Sequence, residues 1–211
     1  MGFGKIKINC LGASNTRIIK TAEKETVRDV NYPVILGLLL RCTVRNYGVS
    51  GTNIAVCEGR EDSYFERAAL MERDADVVII QGDGNDASHC LPLGEPGSRD
   101  VHDYRGALAA TILLIRENFP DAAILAFSGM PKLKPPRKRT DGLTHDDFHR
   151  AFTEVCRENG IEPYDFSADP VIRADDKEIM PDGLHLSEKG CRYYAEIAAG
   201  EVRRVLGLPK M

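Results

Sequence analysis

The stretch "DVVIIQGDGNDA" (residues 76–87) runs four β-branched residues together and then breaks into glycine, aspartate and asparagine. A strand with one wet face alternates apolar and polar residues, whereas a strand covered on both faces has no need to. The run therefore predicts an interior strand of a parallel sheet over 76–81, with the polar break at its C-terminal end. "AAILAFS" (122–128) has the same character, and "KIKINCL" (5–11), "CTVRNY" (42–47) and the shorter "IEPYDF" (161–166) read as three more strands.

Helical patterns fill the gaps between these runs. "YPVILGLLLR" (32–41) carries Pro33 at a first-turn position, where the missing N–H costs nothing. "REDSYFERAALMER" (60–73) is amphipathic, and "DVHDYRGALAATILLIRENF" (100–119) is stopped by Pro120. "THDDFHRAFTEVCRENG" (144–160) opens on Thr144 with Asp147 three residues on and closes on Gly160. "SEKGCRYYAEIAAGEVRRVLG" (187–207) is the last helix. Strand–helix alternation of this kind predicts one doubly wound α/β domain over residues 1–211, with right-handed crossovers. Two loops interrupt the pattern, "SHCLPLGEPGSRD" (88–100) and the basic "GMPKLKPPRKRTDG" (129–142). Both follow C-terminal strand ends, where open α/β sheets bind ligands.

The bulk properties narrow the function. The chain has 211 residues, 43% hydrophobic and 28% charged, and a formal net charge of −4, which speaks against a dedicated nucleic-acid binder. No segment approaches the roughly 20 apolar residues of a membrane span. "MGFGKIKINC" has neither the build of a secretory signal nor the Ser or Thr at position 6 of a myristoylation motif. The six cysteines form no metal-like spacing and read as reduced small hydrophobes. A cytoplasmic location is the expectation, and the oligomeric state is not readable.

The chemistry-bearing residues collect in four short segments. "GASNT" (12–16) holds Ser14, "GVSGTN" (48–53) holds Gly51, "DGND" (83–86) holds Asn85, and "DGLH" (182–185) holds Asp182 and His185. In a parallel sheet the first three meet at one edge. A serine hydroxyl needs a base to take its proton, and His185 is the best placed of the five histidines. Asp182, through a turn at Gly183, can reach its Nδ1 and orient it. The N–H groups of Ser14 and Gly51 and the Asn85 amide could hold an oxyanion.

These four blocks, in this order and spacing, resemble the SGNH hydrolases, the core of the GDSL esterase/lipase family. The likeness runs from residue 5 to about 206. It implies a flavodoxin-like three-layer αβα sandwich with a five-stranded sheet of order 2-1-3-4-5. It also implies ester hydrolysis through an acyl-serine intermediate, with no metal or cofactor. The implied triad is Ser14, Asp182 and His185, and the implied oxyanion hole is Ser14, Gly51 and Asn85. Two letters depart from the family pattern: Ala13 stands where Asp is usual, and Asp83 stands where the third block has its first glycine.

Other residues take plainer readings. Asp86 is structural. His89 and His102 lie on the surface, and His145 and His149 share a helix face at i,i+4, read as solvent-exposed. The cations Lys132, Lys134, Arg137, Lys138 and Arg139 read as a solvated loop, with attraction of an anionic substrate as the alternative. Met180 and Leu184 pack around the triad. With no Trp, only 7% aromatic residues and polar loops, the chain points to short acyl groups, including acetyl on a sugar. Three alternatives stand beside this. One is a lysophospholipase- or thioesterase-type acylhydrolase on the same site. Another is a catalytically impaired binding protein on the same fold. The third, a nucleotide binder, is disfavoured because "GASNT" lacks phosphate-cradling glycines.

Overall fold

The computed structural model describes residues 6–17, 31–82, 84–132 and 139–209. The run that opened the reading is β3 (Val77–Gln81), and every one of its side chains is buried. Its residues divide by parity, as a pleated strand requires. Val78 and Ile80 enter an apolar cluster with Leu108, Ile112 and Phe152, while Val77 and Ile79 enter another with Leu36, Tyr194 and Ala198. Burying one such side chain is worth about 1.5–3 kcal/mol, so β3 anchors both halves of the core.

Around it the parallel sheet runs β2-β1-β3-β4, with β1 at Lys7–Gly12, β2 at Thr43–Gly48 and β4 at Ala123–Phe127. Two helices cover one face, α1 (Tyr32–Leu40) and α6 (Glu188–Val205). The other face carries α2 (Tyr64–Ala68), α4 (Tyr104–Asn118) and α5 (His145–Glu158). A single turn, α3 (Asn85–Ser88), follows β3. The three-layer αβα architecture and the strand order up to the fourth strand are as expected.

The fifth strand is a correction. The segment 161–166 contributes one parallel bridge, Tyr164 beside Phe127, where Ser128 N–H donates to the Tyr164 carbonyl and Tyr164 N–H to that of Ala126. It sits next to β4, where a fifth strand belongs. The pairing goes no further, because Phe166–Ala168 turn at once into a 3-10 helix capped by Asp165. The helix expected over 60–73 is also cut short. It starts only at the Ser63 cap, where Ser63 and Glu66 form a reciprocal capping box, and it stops before Leu70, which is 76% exposed.

Parallel pairing puts Gly12 beside Gly48 and Gln81 beside Phe127, so all four strands end along one edge. The loops carrying Ser14, Gly51 and Asn85 all leave from that edge. All six cysteines are free; Cys10, Cys156 and Cys191 are buried, and burial pushes each of these thiols up to about 12.

Candidate active site

Ser14 sits in a tight turn past β1, where the Ala13 carbonyl accepts the N–H groups of Thr16 (3.1 Å) and Arg17 (2.9 Å). The turn is pressed against its neighbours. A Cβ at Gly48 would lie 2.4 Å from Arg17 N and 2.7 Å from the Thr16 carbonyl carbon, so β2 must end in glycine to let this loop approach. Asn46 Nδ2 donates to the Thr16 carbonyl at 2.7 Å, and the Thr16 hydroxyl donates to Gln81 Oε1 at 2.5 Å. Ala13, the departure from the family letter, is 2% exposed and packs with Leu11, Ile54, Ala55 and Tyr64.

A small groove opens beside Ser14, and Ala13, Asn15, Gly82, Asn85, Lys132 and Leu184 are among its walls. Ser14 and Asn85 therefore share one cavity although 71 positions separate them (85 less 14). Asn85 Nδ2 donates to the Thr52 carbonyl at 2.8 Å, which ties the third block to the residue after Gly51. Gly51 has φ +71°, a backbone state suited to glycine, and does not itself line the groove. Asp86 is buried completely, and its two oxygens accept the N–H groups of Ile54 and Ala55, each at 2.9 Å. Its structural reading agrees with this geometry.

Asp182 and His185 meet as the spacing suggested. Asp182 Oδ2 lies 2.7 Å from His185 Nδ1, while Oδ1 accepts the N–H of His185 at 2.7 Å and of Leu184 at 2.9 Å. Partial burial pushes the Asp182 carboxyl up, but the imidazole and the two backbone donors outweigh it and hold the group below the usual carboxylate range. Gly183, at φ +72°, makes the turn between them. Neither Asp182 nor His185 is among the groove's walls, but their neighbour Leu184 is, and Met180 beneath is fully buried.

Three residues that the sequence did not single out hold these parts together. Asn15 bonds to the backbone on both sides of His185, Gln81 holds Thr16, and Thr52 receives Asn85. A polar residue that braces a loop carries no spacing signal, so only the folded chain reveals it.

The two helix histidines are a further correction. His145 and His149 are 7% and 5% exposed, not on an open face. They continue the stripe Phe148, Phe152, Val155 and Cys156 that packs on the sheet. A Cβ at Gly84 would lie 2.8 Å from both His145 Nδ1 and Lys132 Nζ, so the pair stands directly behind the third block. Burial first, then the Lys132 ammonium, pushes both imidazoles down to about 4 and keeps them neutral. His89 and His102 are exposed, as expected, with His89 Nδ1 2.7 Å from Asn53 Oδ1.

The basic run divides. Lys132 lines the groove, whereas Arg139 forks onto Asp141 and donates to the Leu91 carbonyl. Lys134, Arg137 and Lys138 lie outside the described residues, as does Asp83. The 88–100 loop faces elsewhere: Pro92 to Ser98 line a separate cleft with Asp103, Arg105 and Asp141. No helix among the described residues is long and apolar enough to cross a membrane.

Comparison with known proteins adds to this geometry. The GDSL-like lipase/acylhydrolase family matches residues 10–193. No curated protein matches the chain. One crystal structure is 30% identical over 97% of this chain and 99% of its own, with a TM-score of 0.86. A possible lipase from Chitinophaga pinensis is 18% identical, covering 97% and 100% of the two chains with a TM-score of 0.73. A carbohydrate acetylesterase family member from Sinorhizobium meliloti is 16% identical, covering 96% and 100%, with a TM-score of 0.68.

Proposed function

Because the chain belongs to the GDSL-like lipase/acylhydrolase family and is a hydrolase of ester bonds, we propose that Ser14, His185 and Asp182 carry out that hydrolysis on short-chain carboxylic esters. The observation that carries this reading is the Asp182–His185 contact, held on the segment that the residue after Ser14 grips. In this reading His185 Nε2 takes the Ser14 proton as Oγ bonds to the ester carbonyl carbon. Asp182 holds Nδ1–H and favours the imidazolium that forms. The negative charge on the former carbonyl oxygen meets the N–H groups of Ser14 and Gly51 and the Asn85 amide. His185 returns the proton to the departing alcohol, leaving an acyl-Ser14 ester. Water, deprotonated by His185, then adds to the acyl carbon, and Ser14 leaves with the proton.

The small groove favours a short acyl group. The carbohydrate acetylesterase likeness in fold agrees with O-acetyl groups on a sugar as the substrate class. Turnover of p-nitrophenyl esters from acetyl to decanoyl, and of acetylated sugars, by the wild type and Ser14→Ala tests both parts. The expected result is Ser14-dependent hydrolysis that falls as the acyl chain grows. Equal rates for wild type and Ser14→Ala would remove the nucleophile.

A further inference from the structure

We infer that Asn15 is the positioning residue that sets His185 against Ser14, a role that rests on the triad proposed above. Its side chain, 9% exposed, makes two hydrogen bonds to one distant segment. Asn15 Nδ2 donates to the Leu184 carbonyl at 3.2 Å, and Oδ1 accepts the Leu186 N–H at 2.9 Å. The two bonds straddle His185.

Asn15 holds the segment on either side of His185, and Asp182 Oδ1 holds the His185 N–H itself at 2.7 Å. The backbone that carries the imidazole is thus held at three successive residues. A single peptide joins this clamp to the nucleophile, because Asn15 follows Ser14 directly. Few rotatable bonds therefore separate Ser14 Oγ from the imidazole, although the two residues lie 171 positions apart (185 less 14).

Only an amide suits this place. It offers a donor and an acceptor side by side without charge. An ionised carboxylate would keep the bond to Leu186 N–H but set an oxygen against the Leu184 carbonyl. Since an error of about 1 Å in reacting geometry costs on the order of 10²-fold, loss of the clamp falls on the chemical step and spares substrate binding.

The test uses Asn15→Ala and Asn15→Asp in the full chain. It measures kcat and KM on p-nitrophenyl acetate, and the fraction of Ser14 titrated by a fluorophosphonate at long times. The expected result is a kcat per titrated site lowered by about 10²-fold, KM within about twofold, and near-complete titration at a reduced rate. A residue that merely supports the fold would instead lower activity in step with the titratable fraction, and that outcome overturns the proposal. If Asn15→Ala does not fold, the isosteric Asn15→Asp decides on the same criteria. Wild-type rates per site in either variant, with Ser14→Ala inactive, refute the clamp and leave the triad standing. Wild-type rates in Ser14→Ala refute the triad and the clamp together.

Discussion

Asp182 holds His185 twice, once at the imidazole Nδ1 and once at the backbone N–H, both at 2.7 Å. The two contacts use different oxygens, so they separate under substitution. Asn in place of Asp182 keeps an oxygen for the backbone but can turn an NH₂ toward Nδ1, which selects the wrong tautomer. Asp182→Asn should lower kcat by on the order of 10³–10⁴-fold while the chain stays folded. Steady-state kinetics with a parallel denaturation curve checks this. A loss below tenfold would mean that Asp182 only shapes the turn.

Ala13 is buried at the groove wall, in the apolar cluster that includes Ile54, Ala55 and Tyr64. The family's usual aspartate would put a carboxylate into that apolar contact. Ala13→Asp should cost about 2–4 kcal/mol of folding stability, in the range for burying a polar group without a partner. Urea denaturation measures it. An unchanged midpoint would show that the loop swings the new carboxylate into the groove.

Among the described residues, the carboxylate of Asp86 is what accepts the N–H groups of Ile54 and Ala55. Asp86→Ala strands both donors in the interior and should destabilise the chain by about 3 kcal/mol or more, at 1–3 kcal/mol for each unsatisfied group. The loop holding Gly51 and Thr52 should loosen with it. Faster amide exchange at Thr52 and Ile54 is the specific readout, and protection equal to wild type counts against the brace.

His145 and His149 make the protein acid-sensitive in a defined window. Unfolded, each imidazole takes its proton near the ordinary histidine value of 6.5; folded, only near 4. Between those values the unfolded chain binds more protons, so stability falls as pH drops from about 6.5 toward 4. Each histidine accounts for up to about 3 kcal/mol of this change. Denaturation midpoints at pH 7.5 and pH 5 should differ, and His149→Leu should remove part of the difference. A pH-independent midpoint in wild type over this range would show that the histidines are not held neutral.

Much of this could be read in the letters, and the misses have physical causes. Strand 76–81 was legible because full burial on both faces leaves an unbroken apolar run. The fifth strand misled because β-propensity at Ile161, Tyr164 and Phe166 says nothing of the Asp165 cap that turns the chain into a 3-10 helix. An i,i+4 histidine pair marks a shared face but not its direction. The apolar stripe through Phe148, Phe152 and Cys156 was the signal that this face turns inward. The Asp182–His185 pair was legible because it is local, three residues across one glycine turn. Gln81 and Thr52 were not, since their partners Thr16 and Asn85 lie far away in sequence, and neither was Asn15, which bonds to backbone 169 and 171 residues on.

That last fact bears on synthesis. The serine loop precedes its clamp partners in the chain, so Asn15 has nothing to grip until Leu184 and Leu186 follow. α6, which buries Tyr194 against Tyr32 with ring centroids 4.2 Å apart, comes later still. In the proposed triad, Ser14 therefore waits for its base until residue 185 has been added. A chain halted before residue 182 should expose Ser14 to solvent yet leave it inert to a fluorophosphonate.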